Sequence, residues 1–329
     1  MNTTMQQETQ FPVRRALPLA HHTGAEQRGL GNSRHGNAVN AAKFSQKPMV
    51  TLARFAMRHL DRVASGLAAR MTYSLISSPP RHRPSDVEVV LRAGAHQWKI
   101  PFQDGWLQCY RWGKGPQCLF VHCWGGRGTQ PEAMIRQLTQ SGLSVVSFDH
   151  PAHGLSSGTW AEQMRMAQAT AAVIHQVGPI DTLIAHSLGV AATAIALRDY
   201  ELDVRRIVSI SSLTDCTWFT NVIGSYLGIS TQTVAKARAR MDANYAQPLG
   251  WDTLSIPDML AHLKIPMLLV HDRDDQEIPF EHALKIQQTL RHAELIATNG
   301  LGHRRILKDA AVIDQISRFA RRAQQGQPS

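Results

Sequence analysis

Between residues 118 and 271 the chain repeats one pattern, a short apolar run followed by a longer stretch with helical spacing. The runs fall at residues 118–122, 144–149, 182–186, 207–211 and 267–271, and residues 293–297 look like a last strand. Each is too short for a helix and too continuously apolar for a strand with one wet face. Helical patterns at 131–141, 161–177, 188–199, 280–289 and 310–321 separate or follow them. Buried strands alternating with helices fold as a mostly parallel sheet covered on both faces, an α/β architecture. Ahead of this series, residues 96–102 and 106–112 alternate in polarity around Asp104-Gly105, as two antiparallel strands do.

The 329 residues suffice for one large domain with an appendage. The four cysteines (Cys109, Cys118, Cys123, Cys216) have no CxxC spacing. No run approaches the roughly 18 apolar residues of a membrane span, and the first residues lack a secretory apolar stretch. These features predict a reduced, cytoplasmic protein. The net charge of +10 suggests nucleic acid as a partner, but its distribution argues otherwise. Residues 1–79 carry ten Lys/Arg and three Asp/Glu, whereas residues 80–329 carry 25 and 22. With no zinc-finger spacing and no RNA-binding aromatic motif, no nucleic-acid partner is expected.

Residues 1–48 are polar and aperiodic and read as a disordered extension. Residues 49–85 read as an amphipathic helix, from about 50 to 75, and a linker. Leu52, Ala56, Leu60, Val63, Leu67 and Met71 form its apolar stripe, and Arg54, Arg58 and Arg62 a basic row. The stripe either docks on the rest of the protein, the preferred reading, or lies on an anionic membrane surface. Residues 86–213 and 264–329 form the α/β core. Residues 214–263, too long for a simple crossover, read as a helical lid insertion whose Trp218 and Phe219 line a substrate pocket.

The chemistry-bearing residues follow the apolar runs. Ala185-His186-Ser187-Leu188-Gly189 joins a strand to an Ala-rich helix. A serine hydroxyl needs an activating base and an exposed position, and a sharp strand-to-helix turn supplies the second. Such a turn needs small residues two places either side of the serine, here Ala185 and Gly189. His122-Cys123-Trp124-Gly125-Gly126 ends the first buried strand, and residues 149–158 (DHPAHGLSSG) follow the next. Val270-His271-Asp272-Arg273-Asp274-Asp275-Gln276-Glu277-Ile278-Pro279 follows a later strand, and Gly300-Leu301-Gly302-His303 follows the last.

These segments, in this order, resemble the motifs of the α/β-hydrolase superfamily over roughly residues 90–325. The first resembles its G-x-S-x-G nucleophile turn with Ala185 in the first glycine's place. The others resemble its His-Gly-Trp-Gly-Gly oxyanion turn, with Cys123 for glycine, its D-x-P-x-H-G-x-S-x-G segment, its acid turn H-G-x-x-D-x-x-V-P and its histidine turn. The resemblance implies an acyl-transfer site with Ser187 as nucleophile, His303 as base and the N–H groups of Trp124 and Leu188 as oxyanion donors. Alignment on Pro279 puts the acid at Asp275, while Asp272, Asp274 and Asp215 remain alternatives. His122, Asp149 and His153 are expected to be structural. No metal spacing and no nucleotide-binding glycine motif is present, so no cofactor is expected. The leading expectation is an esterase-like hydrolase acting on a small-molecule acyl substrate. Thioester, lactone or amide cleavage, acyl transfer, and a silent binding protein on the same fold are the alternatives.

Overall fold

The computed structural model describes residues 48–245 and 250–322. The stretch read as a disordered extension lies outside them, apart from its last residue. Eight strands form one sheet: β1 (His96–Phe102), β2 (Gly105–Trp112), β3 (Gln117–Val121), β4 (Ser144–Phe148), β5 (Thr182–His186), β6 (Ile207–Ile210), β7 (Met267–Asp272) and β8 (Glu294–Thr298). Their spatial order is β1-β2-β4-β3-β5-β6-β7-β8. β2 runs antiparallel to both β1 and β4, and every later pairing is parallel.

The expected α/β sheet is present, and period-two alternation explains its two cores. Leu119, Val121, Leu183 and Ala185 face one side, against the Ala-rich helices 163–177 and 188–199. Cys118, Phe120, Ile184 and Val208 face the other, against helices 132–140 and 310–321. One helix, Asp86–Ala93, escaped the sequence reading although its signal was present. Ser85 and Glu88 form a reciprocal capping box at its start, the S-x-x-E pattern.

Between β6 and β7 the chain makes two longer helices, Cys216–Leu227 and Thr231–Asp242, then a 3-10 turn at Trp251–Thr253 and a short helix at Ile256–Leu260. An antiparallel bridge between Asp215 and Ser255 closes the base of this insertion. Gly228, with φ +71°, makes the left-handed turn between the helices.

The N-terminal segment departs from expectation in two ways. It forms two helices, α1 (Pro48–Val63) and α2 (Ser65–Ser77), broken at Ala64, where φ is −149° and ψ 62°. They pack largely on the insertion, and most of the anticipated apolar stripe faces outward, while Leu60 packs against the insertion. Leu52, Val63, Leu67 and Met71 are exposed, whereas Met57, Ala68, Ala69, Thr72 and Ile76 are buried. Asp61 explains the orientation. Its carboxylate accepts hydrogen bonds from Ser230 N–H (2.8 Å) and the Ser230 and Thr233 hydroxyls, at the start of the second insertion helix. Pinning that polar side inward turns part of the apolar stripe to solvent.

Candidate active site

Ser187 sits between β5 and the helix Leu188–Asp199, with φ +56° and ψ −124°. A side chain rarely occupies this region, and such strain is held only where surrounding structure enforces it. The enforcing contacts are visible. Ser187 N–H donates to the Ile210 carbonyl of β6 (2.9 Å). Gly189 lies so close to β3 that an added Cβ would stand 2.6 Å from the Val121 oxygen and 2.7 Å from that of His122. Ala185 is fully buried in the sheet, where its methyl group fits.

His303 lies beyond β8 in the short helix Gly302–Arg305, entered through Gly300 (φ +76°) and Gly302 (φ +65°), which take conformations that glycine favours. Its Nδ1 lies 2.8 Å from Asp275 Oδ2. The other Asp275 oxygen accepts the N–H groups of Glu277 (2.8 Å) and Ile278 (2.9 Å). Burial works against the Asp275 charge, but hydrogen bonds from His271, His303 and Ile278 outweigh it. They hold the carboxyl well below its ordinary range.

The competing acids are committed elsewhere. Asp272 accepts the Thr298 hydroxyl (2.6 Å) and Leu301 N–H (3.0 Å), and Asp274 accepts Gly300 N–H (2.7 Å). Both shape the loop that carries His303. Asp215 caps the first insertion helix, accepting Trp218 N–H at 2.6 Å. The serine and histidine turns meet through His186, whose Nε2 donates to the His303 carbonyl (3.0 Å) with ring centroids 4.8 Å apart. From the sequence His186, inside the elbow, reads as a packing residue; it is buried, and it also makes this hydrogen bond. Glu277, paired with Arg304 at 2.8 Å, places a carboxylate oxygen 3.9 Å from His303 Nε2.

Two buried imidazoles build the turn at residues 122–126. His122 donates from Nδ1 to the Cys123 carbonyl (2.7 Å) and accepts His150 N–H at Nε2 (2.9 Å). His153 donates from Nδ1 to the Pro151 carbonyl (2.8 Å) and accepts Gly125 N–H at Nε2 (2.9 Å). Each ring is used as donor and acceptor at once, which requires the neutral form. Burial enforces it, pushing His122 down to about 4 and His153 to about 3. Asp149 ties the loops together by accepting Gly128 N–H (2.7 Å), Leu155 N–H (2.8 Å) and the Tyr110 hydroxyl (2.8 Å). Among the described residues the Trp124 N–H meets no protein acceptor, and Leu188, first in its helix, has no intrahelical one.

Arg81, in the linker, is a further residue the sequence did not single out. Its guanidinium donates to the carbonyls of Ala152, Gly154, Ser156 and Gly158, clamping the loop that carries His153. Trp218 stands edge-on to His282 with centroids 4.5 Å apart. Trp218 and Phe219 are half-buried against the same hydrophobic cluster as Leu188 and Trp124. Burial raises the Cys123 thiol to about 11, which keeps it protonated. No group of three or more metal-ligating side chains occurs among the described residues.

An alpha/beta hydrolase fold family model matches residues 118–224, and a TAP-like protein model matches residues 238–327. With the sheet order and the serine turn, these matches decide the family. The chain belongs to the α/β-hydrolase superfamily. No curated protein matches its sequence. Among solved structures, an esterase of Pyrococcus furiosus aligns over 74% of this chain and 97% of its own, with 18% identity and a TM-score of 0.55. An esterase of Exiguobacterium antarcticum aligns over 66% and 96%, with 15% identity and a TM-score of 0.52. A 2-hydroxy-6-oxo-6-phenylhexa-2,4-dienoate hydrolase of Rhodococcus aligns over 70% and 99%, with 15% identity and a TM-score of 0.52. At these identities the likeness is one of fold.

Proposed function

We propose that this superfamily member is a serine hydrolase that cleaves a carboxylic ester or a related acyl bond of a small molecule. One observation carries the reading: Asp275 Oδ2 lies 2.8 Å from His303 Nδ1, and the His303 carbonyl is held by His186, the residue before a serine with φ +56°. An aspartate on Nδ1 fixes the tautomer that leaves Nε2 free to accept a proton. Ser187 Oγ attacks the substrate carbonyl as His303 Nε2 takes its proton. The carbonyl oxygen becomes an oxyanion held by the N–H groups of Trp124 and Leu188, each worth a few kcal/mol at the transition state. The tetrahedral species expels the alcohol, which takes the proton from the imidazolium. Water then repeats the cycle on the acyl-enzyme and releases the acid. Half-buried Trp218 and Phe219 would give the pocket an apolar wall suited to an acyl or alkyl group.

The test is covalent labelling with a fluorophosphonate, which reports an activated serine without knowledge of the substrate. The intact chain is expected to label, and Ser187→Ala and His303→Ala to lose the label. Absence of labelling in a folded, intact chain would sink the proposal and favour a silent binding protein.

A further inference from the structure

Half of the large apolar side chains that stand exposed among the described residues, six of twelve, lie between residues 52 and 75. They are Leu52, Phe55 and Val63 on α1 and Leu67, Met71 and Leu75 on α2, between 48% and 70% exposed. Spacings of three, four and eight put each set on one helical face, and the two sets succeed one another across the break at Ala64. The opposite faces are occupied. Met57 packs with Leu227, Ile229 and Val234, while Ala68, Ala69 and Thr72 are buried and Asp61 caps the second insertion helix. The outward face is therefore the side left over after docking, too apolar to be an ordinary wet surface.

Its charge identifies the occupant. Residues 48–77 contain four arginines and one acid, and that acid, Asp61, is turned inward to Ser230. Arg58, Arg62 and Arg70 are exposed beside the apolar stripe, and Lys236 and Arg240 are exposed on the insertion helix behind α2. A second copy of the chain would bring arginines against arginines across a two-fold axis. The first 47 residues carry six Lys/Arg and two Asp/Glu, so they too are the wrong charge to cover this face. An anionic lipid surface meets both requirements, hydrocarbon for the stripe and negative headgroups for the rim. No helix among the described residues is long and apolar enough to cross a membrane, so the contact is with its surface.

We propose that the outward face of α1 and α2 docks on anionic lipid surfaces and, through their packing on the two insertion helices, holds the insertion against the bilayer. The proposal is independent of the catalytic reading, because no residue of the face belongs to the site.

The test is sedimentation of the full chain with vesicles of phosphatidylcholine alone or with about one-third phosphatidylglycerol. Binding is expected to the anionic vesicles only and to weaken with salt. The double variants Phe55→Glu/Met71→Glu and Arg58→Glu/Arg62→Glu are expected to lower the partition coefficient by about tenfold or more. Unaltered thermal midpoints would show that both remain folded, and Ser187→Ala is expected to bind like the intact chain. Three outcomes overturn the proposal: equal sedimentation with neutral and anionic vesicles, undiminished binding by both double variants, or a dimer in solution that the variants dissociate without any vesicle binding. If Ser187→Ala binds but the intact chain fails to label with the fluorophosphonate, the surface stands and the catalytic reading falls.

Discussion

The turns around Ser187 and the face of α1–α2 handle side chains in opposite ways. In the first, Asp149, Asp272, Asp274, His122, His153 and Arg81 each hold named backbone groups with their polar atoms, and glycines stand where a methyl group would collide with a neighbouring strand. In the second, large apolar side chains face outward. Under the proposed function, geometry that holds reacting atoms within a fraction of an ångström is over-determined from within. The surface proposed to meet another phase is left open.

The largest expected effect belongs to the first region. Asp275→Asn keeps the shape but donates where it should accept, disfavouring the useful tautomer of His303. The turnover number with an activated ester should fall on the order of a thousandfold with KM little changed. A fall of less than about tenfold would move the acid's role to another residue.

Acid should come next. Buried His122, pushed down to about 4, stays neutral when folded, whereas the unfolded imidazole titrates near 6.5. Between these values the unfolded chain binds more protons, so stability is full above about pH 6.5 and is lost as pH falls towards about 4. His122 alone accounts for roughly 3 kcal/mol, and His153 acts in the same direction. Asp275, with its depressed pKa, contributes stability above its unfolded value near 3.8 that is lost as pH falls through the folded one. Urea unfolding at neutral pH and near pH 5 measures the first window; equal midpoints would mean that the imidazoles are not held neutral.

Gly189→Ala forces a Cβ to within 2.6 Å of the Val121 oxygen. It should cost about 2 kcal/mol and abolish labelling of Ser187, as a melting curve and the probe would register. At the small end, Leu67→Ser on the outward face should shift stability by less than about 0.5 kcal/mol. A much larger loss would mean that this face is packed in solution, which would erase the contrast between the two regions.

The sheet was legible because buried parallel strands read as short apolar runs whatever surrounds them, as residues 118–121 and 182–186 illustrate. The serine turn was legible because its covalent neighbours carry its steric demands. The helix at Asp86–Ala93 could have been read from Ser85 and Glu88, and its omission was a missed cap. Arg81 could not, since its four carbonyl partners lie more than 70 residues further along the chain.

By itself the sequence determined the parallel sheet, the strand-to-helix turn that carries Ser187 and the order in which the proposed serine, acid and histidine follow one another. These are properties of local pattern and chain order. Tertiary structure decided which of three neighbouring aspartates, Asp272, Asp274 or Asp275, meets His303, because only the fold assigns each carboxylate its partner. It also decided which side of α1–α2 looks outward. An amphipathic helix states that one face is apolar; what that face touches depends on where a polar anchor, here Asp61 on Ser230, finds its partner.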